Sequence, residues 1–304
     1  MLYSMKTLLQ HAQKNQYAVG YFEAFNMDCM EAVLNAAEKV NSPVIIGFGG
    51  QFLSSPKRVY KEDIYSYGAL AAEAAKQANV PVAVLLNEAD QEDMIYQGMQ
   101  AGFNAVMYQK AGEDFADTLR ITKEVCRIAH MLEIDVESEV GELPCANITT
   151  GSETAGHNTD VAQAKAFVEQ TGIDALAVAI GNVHLLETGK ANLDYELLQR
   201  LRDEIPVPLV LHGGTGVAAE DLRKAIHGGI SKVNVGTVLK RAYINEIQSF
   251  IAKHDLARID PHVTIGWGGE EDMLCAARKA ITQKVVEFIE MFDSVGKAEY
   301  FKGV

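Results

Sequence analysis

Three short segments in the second half of the chain carry residue types that could do chemistry. They are Ile180-Gly181-Asn182-Val183-His184, Leu211-His212-Gly213-Gly214-Thr215-Gly216 and Lys232-Val233-Asn234-Val235-Gly236-Thr237. Each is an apolar, strand-like run that ends in a histidine or in small polar residues beside glycine. Two histidines, His184 and His212, delivered by the ends of successive strands suit a metal ion. A third ligand is wanted, and Glu88, which ends an apolar run of its own, is the candidate. Two histidines with one carboxylate form an open set for zinc or iron. The bland alternative for Glu88 is a solvated carboxylate at a helix N-terminus. Glycines beside a hydroxyl and free backbone N–H groups suit a phosphate. Gly181, Gly213, Gly214 and Thr215 form one such group, and Asn234, Gly236 and Thr237 a second. The combination points to an enzyme acting on a phosphorylated small molecule.

These residues need a scaffold that brings strand ends together. Apolar runs near Tyr17–Phe22, Pro43–Phe48, Pro81–Leu86, Ala105–Gln109, Asp135–Val140, Ala175–Gly181, Pro208–His212 and Lys232–Gly236 read as strands. Helical patterns follow them at Asp28–Val40, Asp63–Ala78, Gln91–Ala101, Phe115–His130, Asp160–Thr171, Leu193–Asp203, Ala219–His227 and Val238–His254. Thr159 is the expected N-cap of the Asp160 helix, and Gly102, Gly172 and Gly229 sit where left-handed C-caps are wanted. Eight strand-then-helix units predict an α/β fold of the TIM (β/α)8 barrel type, one domain over 1–304. An open doubly wound sheet would more often carry a Gly-x-Gly-x-x-Gly turn after its first strand, and Gly20-Tyr21-Phe22 does not supply one. Residues 261–304, with a helical pattern over Met273–Phe292, form a C-terminal helical extension beyond the eight units. In such a barrel the chemistry sits where strands end, and Glu88, Gln109, Glu139, His184, His212, Gly236 and Thr237 all fall there.

Composition agrees with this and excludes other classes. The chain has 304 residues, 48% of them hydrophobic, and a formal net charge of −14. That charge argues against nucleic acid or an anionic membrane as the partner. An anionic substrate must therefore be met locally by a metal, backbone N–H groups or a few basic residues. The four cysteines, Cys29, Cys126, Cys145 and Cys275, have no paired spacing and read as reduced thiols of a cytoplasmic protein. No apolar run is long enough to span a bilayer or to act as a signal peptide.

Three further groups carry chemistry of their own. Glu137 and Glu139 are expected to point to opposite sides of strand five, with the inward one meeting a metal or a lysine; Lys110 and Lys232 are the candidate ion-pair partners. Lys110 could alternatively form a Schiff base. Trp267, in Gly266-Trp267-Gly268-Gly269, would lid a pocket or pack at a subunit interface.

The pattern as a whole resembles the class II, metal-dependent ketose-bisphosphate aldolases, the family of fructose-bisphosphate and tagatose-bisphosphate aldolases. The resemblance covers nearly the whole chain. It runs from Tyr17-Ala18-Val19-Gly20-Tyr21-Phe22 through Glu137-Ser138-Glu139-Val140-Gly141 and Thr171–Gly181 to Phe292-Asp293-Ser294-Val295-Gly296-Lys297-Ala298. It implies a TIM barrel, a homodimer or homotetramer, and a divalent metal, usually zinc, with room for a monovalent cation. The implied reaction is reversible aldol cleavage of a ketose (bis)phosphate to dihydroxyacetone phosphate and an aldehyde. By position, His184 and His212 match metal-ligand histidines, and Glu139 matches a carboxylate of a second metal position. Gly213, Thr215, Asn234, Gly236 and Thr237 match the phosphate and substrate loops.

The chain also departs from that pattern. Family members usually end strand three in Leu-Asp-His-Gly, where the Asp donates a proton and the His binds metal; here Leu86-Asn87-Glu88-Ala89 stands in its place. Asn87 can hydrogen-bond at the catalytic position but cannot transfer a proton as Asp does. Gln109 replaces another acid, Leu185 a glycine, and Glu23 an asparagine. The loop that supplies the family's general base corresponds to Glu142–Asn158, with Glu142 and Glu153 as candidates. Lyase chemistry is the leading expectation. The same enediolate chemistry used for isomerisation or epimerisation, and a non-catalytic sugar-phosphate-binding barrel, are the alternatives.

Overall fold

The structure, a computed structural model, describes residues 1–60, 62–141, 156–183, 191–255 and 257–302. His184, Leu185, Cys145, Glu142 and Glu153 lie outside the described residues. Eight strands form a closed, all-parallel barrel in sequence order: β1 Val19–Glu23, β2 Val44–Gly49, β3 Val82–Ala89, β4 Ala105–Tyr108, β5 Asp135–Val140, β6 Ala175–Val178, β7 Leu209–Leu211 and β8 Ile230–Val235. β8 pairs with β1, Asn234 beside Tyr21, and this closes the ring. Helices follow the strands, and Asn26, Asp63, Asp114, Asp160 and Asp194 cap five of them with side-chain oxygens.

Alternation along each strand divides the core into two parts. One set of residues packs outward between sheet and helices, as Phe22, Ile46, Val84, Val106, Val136 and Leu176 do. The other set fills the barrel interior: Val19 and Tyr21, Ile45, Ala83 and Leu85, Ala105 and Met107, Ala175 and Ala177, and Val210. A helix not evident in the sequence pattern, Met5–Lys14, joins this inner set through Met5, Leu8, Leu9 and Ala12. Asp135, first residue of β5, accepts hydrogen bonds from Ser4 Oγ and from the Lys6 amide at the start of that helix. The interior is thus filled with apolar side chains at the N-terminal end of the strands. The C-terminal end is left to polar residues.

The expected elements are present with small shifts, and one cap is reassigned. Asp160, not Thr159, caps the helix Val161–Thr171. Thr159 Oγ1 instead donates to the Val140 carbonyl and accepts from the Ala179 amide, tying β5 to the end of β6. Gly102, Gly172 and Gly229 all have positive φ. The helix Met273–Met291 packs on the barrel's own helices, Met27–Lys39 and Thr237–Lys253, and Phe292 stacks on Phe22 of β1. Trp267 is 71% exposed, so within this chain it covers no pocket. No helix among the described residues is long and apolar enough to cross a membrane.

Candidate active site

A cavity of about 910 Å³ opens at the C-terminal ends of the strands. Asn87, Glu88, Gln109, Glu139, Gly213, Thr215, Asn234, Gly236 and Thr237 line it, together with Tyr21 and Glu23 of β1. Gly181 and Gly214 do not line it. Gly181 adopts φ +97°, and a Cβ there would lie 2.2 Å from the Asn192 carbonyl oxygen. Its lack of a side chain serves backbone packing. At Gly214 a Cβ would lie 2.4 Å from the Val233 side chain.

β3 ends in a bulge. Its register against β4 shifts between Leu86 and Ala89, and Glu88 takes φ +48°. A bulge re-aims the side chains of a strand, and here both Asn87 and Glu88 reach the cavity. Glu88 accepts a hydrogen bond from Gln51 Nε2 and stands 3.3 Å from His212 Nδ1. Glu139 Oε2 approaches the same nitrogen at 3.6 Å, while its Oε1 accepts from Gln109 Nε2 at 2.9 Å. The other ring nitrogen of His212, Nε2, is 3.0 Å from Glu137 Oε1. The expectation that Glu137 and Glu139 diverge is therefore corrected. Residues two apart in a strand share a face, and both of these look inward onto one imidazole.

Glu137 is fully buried and paired with Lys232 Nζ at 2.8 Å. Lys110 makes no such pair: its Nζ lies 3.3 Å from Glu113 at the exposed rim. Burial would raise the Glu137 carboxyl, but the Lys232 charge and the His212 hydrogen bond outweigh it and hold the group below the usual carboxylate range. Burial would likewise lower His212. Its hydrogen bonds to Glu137 and Glu88, with the charges of Glu88 and Glu139, prevail and push it up to about 9. The carboxylates thus concentrate negative potential around His212 Nδ1, a place that favours a cation.

On the far side of the cavity, Gly236 precedes the helix Thr237–Lys253, whose first N–H groups face outward from β8. Glu23 presses against Gly236 so closely that a Cβ there would lie 2.6 Å from Glu23 Oε2. Lys240, on the first turn of that helix, is 3.0 Å from Glu23 Oε1. Asn87 Oδ1, Asn234 Nδ2 and Tyr21 Oη are buried without hydrogen-bond partners among the described residues. Lys232 is the expected partner of the inward strand-five carboxylate, whereas Tyr21 has no role in the sequence reading. The alternation Val19, Tyr21, Glu23 along β1 was the available signal for Tyr21.

Among the described residues no group of three His, Cys, Asp or Glu side chains is spaced as a metal-binding set, so Glu88, Glu139 and His212 do not complete one by themselves. The pairwise separations are those of His–carboxylate ion pairs and lie near the spacing of donors around a metal. Bonds of 2.0–2.1 Å in a tetrahedron put donors about 3.3–3.4 Å apart, close to the Glu88–His212 and Glu139–His212 separations.

A barrel of this topology with carboxylates and a histidine converging at its C-terminal mouth is a class of architecture built for small-molecule chemistry. Comparison with known proteins makes the assignment specific. The family model for class II fructose-bisphosphate aldolase matches residues 3–297. YdjI of Escherichia coli K12 is 33% identical over 304 residues, covering 98% of this chain and 100% of that one. The crystal structure of the YdjI aldolase superposes with a TM-score of 0.81 at 32% identity, over 98% of this chain and 100% of that one. A putative fructose-1,6-bisphosphate aldolase from Coccidioides immitis gives 0.82 at 26% identity, over 97% and 98%. The chain belongs to the class II fructose-bisphosphate aldolase family.

Proposed function

We propose that this protein is a metal-dependent aldehyde-lyase that reversibly cleaves a ketose phosphate to dihydroxyacetone phosphate and an aldehyde. The observation that carries the reading is the approach of Glu88 and Glu139 to Nδ1 of His212 at the cavity floor. Glu88, His212 and His184 would hold a divalent ion, with Glu139 at a second position; zinc suits this mixed nitrogen and oxygen set. When bound, such an ion supplies Lewis-acid stabilisation of the negative charge that develops on the ketone oxygen.

The chain's own residues do the rest. Gly213, Thr215, Gly236 and Thr237 offer backbone N–H groups and hydroxyls to a phosphate. Asn234 lines the cavity with its amide nitrogen unpartnered among the described residues, and that nitrogen would donate to a substrate hydroxyl or carbonyl. Asn87 orients substrate through its amide, and the proton it cannot supply must come from another acid. Glu142 and Glu153 are the sequence candidates for the general base. On the same reading the protein works in the cytoplasm as a homodimer or homotetramer.

The test is a panel of ketose mono- and bisphosphates given to zinc-loaded protein, with dihydroxyacetone phosphate detected by a coupled reductase. Cleavage of one member that is lost in His212→Ala is the expected result. A protein that binds dihydroxyacetone phosphate tightly and cleaves or isomerises nothing would replace this reading with that of a binding barrel.

A further inference from the structure

Lys232 has no part in the chemistry above, yet it is fully buried at the centre of the barrel mouth. A buried ammonium has three donors to place. It stands 2.8 Å from Glu137 Oε2 and donates to Glu137 Oε1 at 3.0 Å. It donates to Asn234 Oδ1 at 2.7 Å. It also lies over the face of Tyr21, 5.0 Å from the ring centroid. Each contact has a directional consequence. Lysine can only donate, so the Asn234 amide must turn its oxygen to Lys232; its nitrogen is then left buried without a hydrogen-bond partner among the described residues, in a residue that lines the cavity. Glu137, held from one side by Lys232, presents Oε1 to His212 Nε2 at 3.0 Å. A carboxylate on the remote nitrogen of a histidine fixes the ring's tautomer and orientation. Here it leaves Nδ1 directed at Glu88 and Glu139.

We propose that Lys232 is a positioning residue that sets two donors of the site at once. Through Glu137 it fixes the His212 ring with Nδ1 toward the carboxylates, and through Oδ1 of Asn234 it holds the amide so that Nδ2 is the group left to donate at the cavity wall. The inference rests on the reading of this cavity as a site for a divalent ion and a phosphorylated ketose. Methionine at 232 would fill the same space and remove the donor from both acceptors. The rotamers of Glu137 and Asn234 would then lose the contact that selects them.

The experiment compares Lys232→Met, Glu137→Gln, the double variant and Ile281→Ala with the wild type. Ile281 is buried on the helix Met273–Met291 and serves as a control for general destabilisation. Zinc affinity is read by competition with a chromophoric chelator, and dihydroxyacetone phosphate affinity by calorimetry. Lys232→Met is expected to weaken zinc by about 10–100-fold, the usual range for a group that orients a ligand. Glu137→Gln should do the same, and the double variant should lose no more zinc affinity than the worse single, because both act on one ring. With zinc saturating, dihydroxyacetone phosphate binding should fall further in Lys232→Met than in Glu137→Gln. Ile281→Ala should lower Tm and leave both affinities unchanged.

Wild-type zinc affinity in Lys232→Met, additive losses in the double variant, or an equal loss in Ile281→Ala would overturn the proposal. Where Lys232→Met alone fails to fold, the double variant removes both buried charges together and avoids the uncompensated one; its dihydroxyacetone phosphate affinity must then fall below that of Glu137→Gln. A wild type that binds no zinc would refute the functional reading instead. Lys232 is then judged from the ¹⁵N-histidine NMR signal of the His212 Nε2–H in metal-free protein. That signal is expected to move or vanish in Lys232→Met, and an unchanged signal rejects the positioning role.

Discussion

Replacing Glu88 by glutamine tests the site at its most unusual residue. Glutamine has the shape of glutamate, can still hydrogen-bond Gln51, and meets the same φ of +48° at the bulge. Fold stability should therefore change by less than about 1 kcal/mol, within the range of a single retained or lost hydrogen bond. Metal affinity should change far more. The Glu88 side chain is only 14% exposed, so its charge is little screened by water, and it stands at ligand distance from Nδ1. Removing a group that merely orients a ligand costs 10–100-fold. Removing the charge of a ligand itself should exceed that, so zinc affinity should fall by at least about 100-fold, about 2.7 kcal/mol. Glu88→His restores a neutral nitrogen donor and should hold zinc within about tenfold of the wild type. The assay is chelator competition at pH 7.5, with Tm recorded on each variant. If the wild type holds one equivalent of zinc and both substitutions leave its affinity unchanged, Glu88 is not a ligand and the three-donor reading is wrong.

Other expectations follow from single features. A metal must displace the proton from a His212 whose pKa lies at about 9; below that pH the protonated form competes, so log K for zinc should rise by about one per pH unit from pH 7 toward 9, and a flat profile would reject the assignment. Gly181→Ala combines a left-handed φ with a clash on the Asn192 carbonyl; it should destabilise by about 2–4 kcal/mol in urea unfolding, and a loss under about 0.5 kcal/mol would show that the turn relaxes freely. Burial pushes the Cys29 and Cys126 thiols up to about 12, so at pH 8 only about one in 10⁴ is thiolate. Peptide mapping after iodoacetamide should find both unmodified in native protein and modified in guanidinium.

Much of this molecule is legible in its sequence because the relevant signals are local. The strand runs are short and apolar, the helices have amphipathic faces and acidic caps, and the polar residues that end strands three to eight mark the mouth. That is how Glu88, Glu139, His212 and Asn234 can be placed at one end of a barrel before any coordinates. The rest depends on contacts far apart in the chain. Glu137 and Lys232 are 95 residues apart; the sequence offers Lys232 beside Lys110 as the partner of an inward glutamate, and only the closed ring chooses between them. The Thr159 hydroxyl is a good cap by type, but two backbone groups of β5 and β6 compete for it and win. The bulge at Glu88 is equally silent, since a register shift belongs to a pair of strands. The helix Met5–Lys14 stands outside the eight strand–helix units, and its buried face, Met5, Leu8, Leu9 and Ala12, is explained only by the barrel interior it closes.

The Glu137–Lys232 pair also constrains how the chain reaches its native state. A fragment ending before β8 would contain Glu137 on the inner face of β5 beside His212 but without the Lys232 ammonium, and a buried charge deprived of a partner costs several kcal/mol. Such a fragment must keep the upper interior wet, or leave β5 loosely docked, until β8 arrives. Dry closure of the mouth therefore waits for the last strand, and the two halves of the ring are expected to gain their final packing in one cooperative step. Late, concerted ordering of β5 and β8 in pulse-labelled hydrogen exchange is the kinetic signature of that dependence.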